Sequence, residues 1–214
     1  MIDKLVDKVF LINTKNATDR MESMSKHLGE LDIKFNRVEA VPTDLLEDVD
    51  KSEHENIDPR FTEGWNINAK SLLETTRGII KESIDNDYDK ILILEDDAFF
   101  QNYEKGVDML SGFLEKCTYW DFIHLNYLNT SYFGFTQYNG ILKLTQGCFC
   151  CQAYLINKNV MKAYLEELDK CDKPIDHTTR KLHKTRKRSF VVNQKMVTHT
   201  PGNYSTIRER IVEY

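Results

Sequence analysis

The stretch that most constrains this chain is residues 90–100, KILILEDDAFF, in which four aliphatic residues run directly into three carboxylates. A short continuous apolar run such as residues 91–94, without a helical phase, is typical of a strand buried on both faces of a sheet. We therefore expect the chain to fold around a central strand whose carboxyl end carries Glu95, Asp96 and Asp97.

Three adjacent carboxylates at a strand end need a positive partner, because an unpaired buried charge is costly. In open α/β sheets, ligands bind beyond the carboxyl ends of the strands. A divalent cation that holds a phosphate group suits such hard oxygen donors, so magnesium or manganese is the expected ion. The residues alone leave a second interpretation open, in which the carboxylates are solvated or lie near a helix N-terminus.

Length and charge narrow the class of protein. A chain of 214 residues is expected to fold as a single domain over residues 1–214. The net charge of −5 argues against dispersed binding to DNA or RNA, so no nucleic-acid partner is expected. The first residues, MIDKLVDKVFLIN, show no signal peptide or transmembrane segment, which predicts a location in a bacterial or virus-infected cytoplasm.

The five cysteines are expected to be free thiols, because their number is odd and no signal peptide precedes them. Three of them cluster in the sequence GCFCCQ, as Cys148, Cys150 and Cys151. The cluster lacks the C-x₂-C pairs of structural zinc sites, and no second pair follows at a suitable distance. We interpret these cysteines as small apolar residues of a buried strand.

Residues 9–38 predict a βαβ unit. An apolar run ends at Asn13, residues with helical spacing follow, and residues 35–38 form a second strand. The carboxyl ends of parallel strands meet at one edge of a sheet. Asn13 and Arg20 are therefore expected on the same rim as the three acids.

The rest of the chain alternates between helices and strands of ordinary length. Helices are predicted at residues 69–84, 103–116 and 158–168. Strands are predicted at 121–125, within 142–156 and at 190–192, with a hairpin within 126–140. Residues 43–63 predict a long loop, and residues 171–176 predict a turn closed by Pro174. His124 is interpreted as a hydrogen-bonded core histidine.

Three basic features are candidates for contact with phosphate or metal, and the first two also have a structural interpretation. Arg20 can pair with phosphate at the rim, or form a surface salt bridge with Asp19 or Glu22. The run Arg180 to Arg188, RKLHKTRKR, has six Lys or Arg in nine residues. It can contact phosphate, nucleic acid or the surface of a membrane, or it can be a solvated loop or exposed helix. His199, in the tail, can reach the metal if the tail folds back.

Several segments fall into one order between residues 9 and 176: VFLINTKNATDRMESMSKHLGELDIKFNRVEAV, KILILEDDAFF, WDFIHLN and GCFCCQAYLINKNVMKAYLEE…KPID. No one of them is specific, but the ordered set resembles glycosyltransferase family 25. That family includes bacterial lipooligosaccharide galactosyltransferases and the collagen galactosyltransferases. The resemblance implies a GT-A-like (Rossmann-like) α/β fold, with a single mixed sheet flanked by helices and a nucleotide-sugar site at its rim.

The resemblance also implies roles for residues of the amino-terminal part. Asn13 and Arg20 match positions that contact the nucleotide. Glu39, Ala40 and Val41 would lie near the uridine. The family often shows a Ser-His pair in the helix before the central strand; here Ser71 is kept, and Leu72 stands where the histidine would align.

The acidic residues match the catalytic part of the family. Glu95, Asp96 and Asp97 match its acidic triplet, with Asp97 the first choice of direct metal ligand and Asp96 the second. Asp176 matches the acid of Pro-Ile-Asp, which would activate the acceptor.

The implied reaction is a metal-dependent, inverting transfer of a hexose, galactose or glucose, from a UDP-sugar to a hydroxyl of a glycan or protein. Mn²⁺ or Mg²⁺ is the implied cofactor. Residues from 1 to about 125 would bind the nucleotide sugar, and the remainder would bind the acceptor. Two alternatives stay open: an inactive GT-A-like module that binds a glycan or a protein partner, and a phosphoryl-transfer or nuclease enzyme that uses the same acids.

Overall fold

Strands and helices alternate along most of the chain in the computed structural model, which describes residues 1–49, 66–127, 133–138, 140–144, 150–200, 204–205 and 210–211. The described α-helices are α1 (Thr18–Glu30), α2 (Ile67–Asp85), α3 (Tyr103–Lys116), α4 (Lys158–Leu168) and α5 (Ile175–Arg186). Short 3-10 turns occur at Ile2–Lys4 and Thr43–Leu45. The predicted helices at 69–84, 103–116 and 158–168 are therefore confirmed.

The described strands are β1 (Lys8–Asn13), β2 (Asn36–Glu39), β3 (Lys90–Glu95), β4 (Ala98–Phe100), β5 (Phe122–His124), β6 (Phe133–Tyr138), β7 (Ile141–Leu144), β8 (Ala153–Asn157), β9 (Ser189–Val192), β10 (Val197–His199), β11 (Tyr204–Ser205) and β12 (Arg210–Ile211). Eight of them form one sheet in the order β2-β1-β3-β8-β5-β9-β7-β6. Strand β1 is parallel to β2 and β3, and β5 is parallel to β9. Strand β8 is antiparallel to both β3 and β5, so the sheet is mixed, as predicted.

Side-chain alternation in the central strands builds two apolar layers, one on each face of the sheet. Leu92 and Leu94 of β3 pack in one cluster, which includes Leu28 of α1 and Phe113 of α3. The alternate residues of β3 pack in the other cluster, with residues of α2, α4 and α5. Because successive strand side chains point to opposite faces, the aliphatic run of β3 is buried on both sides.

The local sequence explains why helix α2, which leads into the central strand, forms where it does. The Asn66 side chain accepts hydrogen bonds from the backbone N–H groups of Asn68 and Ala69 at 3.1 and 3.0 Å, which caps the first turn. Leu73, Thr76 and Ile80 follow at helical spacing and are buried against the sheet. The helix therefore delivers the chain to β3 from the amino end of the sheet.

A small second sheet lies beside the acidic stretch. Strand β10 pairs antiparallel with β4, which places His199 opposite Ala98. Residues 98–100 were not predicted as a separate strand, because these apolar residues follow the central strand closely and were assigned to the same segment, KILILEDDAFF. The pairing brings the tail back to the acids, which is the condition under which His199 is expected to reach a metal.

Two predictions about the later part of the chain need correction. The segment read as a turn ends at Pro174, and α5 begins at Ile175, so Asp176 lies in the first helical turn. Pro174 fits this position because a fixed φ of −50° suits the residue that precedes a helix. The second correction concerns Cys150 and Cys151, which are buried and free but precede β8 rather than form part of it.

Other predictions are confirmed only in part, or fall partly outside the described residues. The hairpin within 126–140 is confirmed by the antiparallel pair β6 and β7, although its second strand begins at Ile141. Much of the loop predicted at 43–63, and Cys148, lie outside the described residues. No described helix has the length and apolar character needed to span a membrane.

Candidate active site

The predicted site residues meet at one rim of the large sheet. Parallel pairing aligns Asn13 at the end of β1 with Glu39 at the end of β2, and Ile12 with Glu95 at the end of β3. The amino end of the antiparallel strand β8 reaches the same rim, because Ala153 pairs with Leu94. The rim is therefore built from the carboxyl ends of three strands and the start of a fourth.

Asp96 is held on both of its oxygens. The Asn13 side-chain amide donates to Oδ2 at 2.6 Å, and Arg20 forms a salt bridge to Oδ1 at 2.8 Å. Arg37, on β2, in turn donates to Oδ1 of Asn13 at 2.7 Å. Burial raises the pKa of Asp96, while the Arg20 guanidinium and the Asn13 amide oppose that rise. Arg20 thus pairs with Asp96 rather than with Asp19 or Glu22.

Asp97 has different surroundings. Its Oδ1 accepts a hydrogen bond from the side-chain amide of Gln152 at 2.9 Å. Its Oδ2 lies 4.0 Å from Nε2 of His199, and its backbone oxygen accepts from the N–H of Thr200 at 2.9 Å. Oδ2 of Asp97 therefore faces the side of the rim where the tail strand ends.

Glu95 and Asp176 complete an acidic cluster with Asp97. Burial raises the pKa of Glu95 well above its usual range, and the nearby charges of Asp97 and Asp176 raise it further. Glu95 is the last residue of β3, and its N–H donates to the backbone oxygen of Gln152 at 2.8 Å. The charges of Asp97 and Asp176 thus oppose ionisation of Glu95, and a cation bound among the three carboxyl groups would relieve that repulsion.

Asp176 is fixed by the start of α5. Its Oδ1 accepts the backbone N–H of Cys150 at 3.3 Å, and its place in the first helical turn is favourable for a negative charge. Cys150 has a φ of +133°, a region that side-chain-bearing residues rarely adopt. The Cys150 carbonyl is bonded to Nδ1 of His124 at 3.1 Å, so both sides of this strained residue are held.

The four remaining predicted residues form a separate shelf on the β2 side of the rim. The N–H of Ala40 donates to the backbone oxygen of Asn13 at 3.0 Å. The Ser71 hydroxyl donates to the oxygen of Val41 at 2.6 Å, which ties this segment to α2. Glu39, the last residue of β2, is exposed. The shelf is joined to the acids through Asn13.

A pocket of about 120 Å³ opens between α1 and the acids. Its lining is mixed in character and comprises Asp19, Arg20, Ser23, Met24, His27, Asp96, Phe99 and Thr200. The Phe99 ring stacks on His27 with centroids 4.2 Å apart and is 38% exposed. The pocket thus adjoins the Arg20–Asp96 pair and offers both apolar and polar surface to a ligand.

The donor set of the cluster fits a hard divalent ion in one particular way. Among the described residues, no group of three or more His, Cys, Asp or Glu is arranged to enclose a metal. Mg²⁺ commonly binds through one or two carboxylates, with substrate phosphates and water supplying the other ligands. Asp97, through Oδ2, is suited to that arrangement, whereas Asp96 would first have to release Arg20 or Asn13.

Sequence reasoning missed several residues of this site. Gln152, Asn126 and Arg37 bond to predicted site residues or to one another, and Thr200 bonds to Asp97. For Gln152 a signal existed, because it is the one strongly polar side chain in the run from Cys148 to Ile156. The others carry no pattern that would distinguish them from surface residues.

Three of the six basic side chains in the run from Arg180 to Arg188 form ion pairs within the protein. Arg186 and Arg188 both pair with the buried Asp121, at 2.8 and 3.0 Å. Lys181 pairs with Glu167. His183 is buried, and its Nε2 lies 3.1 Å from Nε2 of His124. The prediction that His124 is a hydrogen-bonded core histidine is confirmed by the same contacts.

One protein-family model matches part of the chain. The model of glycosyltransferase family 25 (LPS biosynthesis protein) matches residues 77–179. No curated protein sequence matches the chain significantly.

Solved structures also resemble this chain, and one of them shows the fold. A glycosyltransferase involved in the glycosylation of the major capsid of PBCV-1 superposes with a TM-score of 0.50 and is 12% identical. The superposition covers 94% of this chain and 96% of that one. A197 from STIV, at a TM-score of 0.46, 13% identity and coverage of 96% and 93%, is too distant to support an inference.

The matched region contains Glu95, Asp96, Asp97, Gln152 and Asp176, which are the acids of the rim and the amide that contacts them. The family match supports a role in glycosyl transfer, and the likeness to the first structure shows the fold. The resemblance of this chain to glycosyltransferase family 25 is thus confirmed, over residues 77–179.

Proposed function

We propose that this chain transfers a hexose, galactose or glucose, from a UDP-sugar to a hydroxyl of a glycan or protein, with inversion and with Mn²⁺ or Mg²⁺. The observation that carries the proposal is the acidic cluster of Glu95, Asp97 and Asp176 at the rim. It lies where α/β sheets bind ligands, inside the region that matches a glycosyltransferase family.

The chemistry requires compensation of negative charge on the leaving diphosphate. A bound divalent ion would neutralise that charge as a Lewis acid. Asp97 would hold the ion through Oδ2, and the positive charge of the ion would favour the ionised form of the neighbouring Glu95. Arg20 and Arg37, which flank Asn13 and Asp96, would orient the nucleotide, because guanidinium groups match phosphate geometry.

An inverting transfer also needs a base on the acceptor side. In this proposal Asp176 accepts the proton of the acceptor hydroxyl as that oxygen attacks the anomeric carbon. The first turn of α5 and the N–H of Cys150 fix its carboxylate. The shelf of Glu39, Ala40 and Val41 would receive the uridine, with Ser71 holding the shelf in place.

The proposal also covers organisation and location. The part up to about residue 125 would bind the nucleotide sugar, and the later part would bind the acceptor, within one domain. We place the protein in the cytoplasm, and a peripheral contact with a membrane through residues 180–188 would have to use side chains other than Arg186 and Arg188.

Calorimetric titration of UDP, with Mn²⁺ and with a chelator, tests the proposal. We expect binding that depends on the metal, followed by turnover of UDP-galactose or UDP-glucose when acceptors are screened. CDP titrated under the same conditions serves as the nucleotide control. Absence of UDP binding under both conditions would contradict the proposal and favour an inactive module that binds a glycan or a protein partner. Leu72, which packs against the core in the place of the family's histidine, is the observation behind that second candidate.

A further inference from the structure

Gln152 lies at the centre of the rim, and its amide is fully used. The side-chain nitrogen donates to the backbone oxygen of Asp97 at 3.0 Å and to Oδ1 of the same residue at 2.9 Å. The side-chain oxygen accepts from the Asn126 amide at 2.9 Å. Both Gln152 and Asn126 are buried, at 3% and 2% exposure, so the hydrogen bond between them is shielded from water.

Three strands bring these residues side by side. In the antiparallel pairings, Leu94 faces Ala153 and His124 faces Tyr154. Glu95, one residue beyond the first pair, and Asn126, two residues beyond the second, therefore lie on either side of Gln152. The N–H of Glu95 donates to the backbone oxygen of Gln152 at 2.8 Å, which fixes the main chain as well as the side chain.

The direction of the Gln152 amide follows from its partners. The Asn126 side-chain oxygen accepts the N–H of Tyr127 at 2.7 Å, so the Asn126 nitrogen must point to Gln152. The Gln152 oxygen therefore faces Asn126, and its nitrogen faces Asp97. The opposite orientation would place two nitrogens together and direct an oxygen at two oxygens of Asp97.

This arrangement makes the two oxygens of Asp97 unequal. Oδ1 is engaged by Gln152, whereas Oδ2 receives no hydrogen bond from the described residues and faces His199 at 4.0 Å. Rotation of the carboxylate would break the bond from Gln152 and leave a buried amide unsatisfied, which costs free energy. The carboxylate is thereby held in one orientation before any ligand arrives.

We infer that Gln152 is a positioning residue, which holds Asp97 so that Oδ2 alone is presented to a divalent ion bound with the donor diphosphate. The inference rests on the proposed function. Coordination through a single carboxylate oxygen suits an ion that takes its remaining ligands from phosphate and water. Partners behind a metal ligand set its orientation, and their loss typically weakens metal affinity by about 10- to 100-fold. Asn126 acts one step further back, by holding the Gln152 amide.

Replacing Gln152→Met tests this role, because methionine has a similar length but no donor. Mn²⁺ is titrated calorimetrically in the presence of UDP, and the apparent dissociation constant and the number of sites are both read. We expect the Mn²⁺ dissociation constant to rise about 10-fold or more while the number of sites stays the same. A loss of folded protein would instead lower the number of sites and leave the dissociation constant unchanged.

Two further variants complete the experiment. Ser83→Ala removes a buried hydrogen bond to the Ile79 oxygen far from the rim, and it should leave Mn²⁺ affinity unchanged. Asn126→Ala keeps both donors of Gln152 and should weaken Mn²⁺ binding less than Gln152→Met does. It also supplies the test if Gln152→Met does not fold, since unchanged Mn²⁺ affinity in a folded Asn126→Ala protein would overturn the inference.

The outcomes separate the inference from the function on which it rests. Metal-dependent UDP binding in the wild type, with the same Mn²⁺ affinity in Gln152→Met, would overturn the role of Gln152 alone. Absence of metal-dependent UDP binding in the wild type would overturn both proposals. Weakened Mn²⁺ affinity in Gln152→Met, with unchanged affinity in Ser83→Ala, is the result that the inference requires.

Discussion

Asp96 and Asp97 are neighbours in the sequence, yet their surroundings give them different tasks. Asp96 is buried between Asn13 and Arg20, and both of its oxygens are used within the protein. Asp97 keeps Oδ2 on the open side of the rim, opposite His199. The two residues should therefore respond differently to substitution.

Asp97→Ala is expected to remove the metal dependence of UDP binding, because it deletes the oxygen that faces the site. Asp96→Asn is the matched control and should retain a metal-dependent step in the same calorimetric titration. Unchanged metal dependence in Asp97→Ala would rule out Asp97 as the ligand of the ion.

Asp176→Asn should abolish turnover and spare UDP binding, because asparagine can still accept the N–H of Cys150 but cannot take up a proton. Turnover is measured with the best donor found by screening, and UDP affinity by calorimetry. A parallel loss of turnover and of UDP affinity would remove Asp176 from the role of base.

The Arg20–Asp96 pair should also contribute to stability. Arg20→Met would leave a buried carboxylate without its cation, and we expect a loss of about 1–2 kcal/mol, less than for a fully buried pair because Arg20 is partly exposed. Urea unfolding of Arg20→Met, Asp96→Asn and the double variant measures the coupling. If the double variant is as unstable as the sum of the two single ones, the pair does not stabilise the fold.

At the scale of single elements, α5 has one face that packs in the core and an end that is held by ion pairs. His183, on α5, contacts His124 of β5 in the interior of the molecule. His124 in turn forms a hydrogen bond with the carbonyl of Cys150. The Cys150 carbonyl can only accept, so Nδ1 of His124 carries the proton. With both rings neutral, Nε2 of His183 then donates to Nε2 of His124. A positive charge on either ring has no buried partner among the described residues.

This histidine pair predicts a loss of stability in acid. Burial lowers the pKa of His124 to about 4 and lowers the pKa of His183 well below its ordinary value. The unfolded chain therefore takes up protons first as the pH falls below about 6.5, and this favours unfolding. For His124 alone we expect a loss of about 2 kcal/mol between about pH 7.5 and about pH 5.

Urea unfolding at both pH values measures this effect, and His124→Asn is the control. Asparagine can still donate to the Cys150 carbonyl but does not titrate, so the loss of stability between the two pH values should shrink. Glu95 acts in the opposite direction, because its raised pKa adds stability as the pH falls. The comparison of wild type with variant cancels that contribution, and equal pH dependence would contradict the prediction.

The helices and strands were predictable wherever one periodicity dominated. Helix α3 begins and ends at the predicted residues, because its inward residues repeat at helical spacing along its whole length. The start of α5 was missed because Pro174 reads equally well as a turn residue and as the residue before a helix. Strand β4 was missed because its partner, β10, lies about a hundred residues away, and sequence periodicity carries no information about such distant pairing.

At the scale of the whole molecule, the family match and the site do not coincide. The matched residues, 77–179, include the acids and Gln152. Asn13, Arg20 and the shelf at Glu39 to Val41 lie before that region, and His199 lies after it. Strand pairing joins these parts, so the rim exists only when β1, β3 and β8 are correctly assembled.

The candidate site could be predicted only as far as its residues follow strand ends. Asn13 and the acids were placed on one rim because parallel strands end at the same edge. Gln152 could not be placed there, since it comes from the amino end of an antiparallel strand. Its direction in the sheet depends on long-range pairing, which local sequence does not reveal.

Strand β8 lies between two strands that run in the opposite direction. The chemistry of the rim therefore depends on the correct pairing of this strand during folding. A slip of β8 by one residue would turn Gln152 to the opposite face and drive Tyr154 and Leu155 into each other's layers. The slipped chain would lose its packing together with its site. An error in assembly at this strand would therefore yield an unstable protein that is open to degradation, rather than a stable protein with a faulty active site.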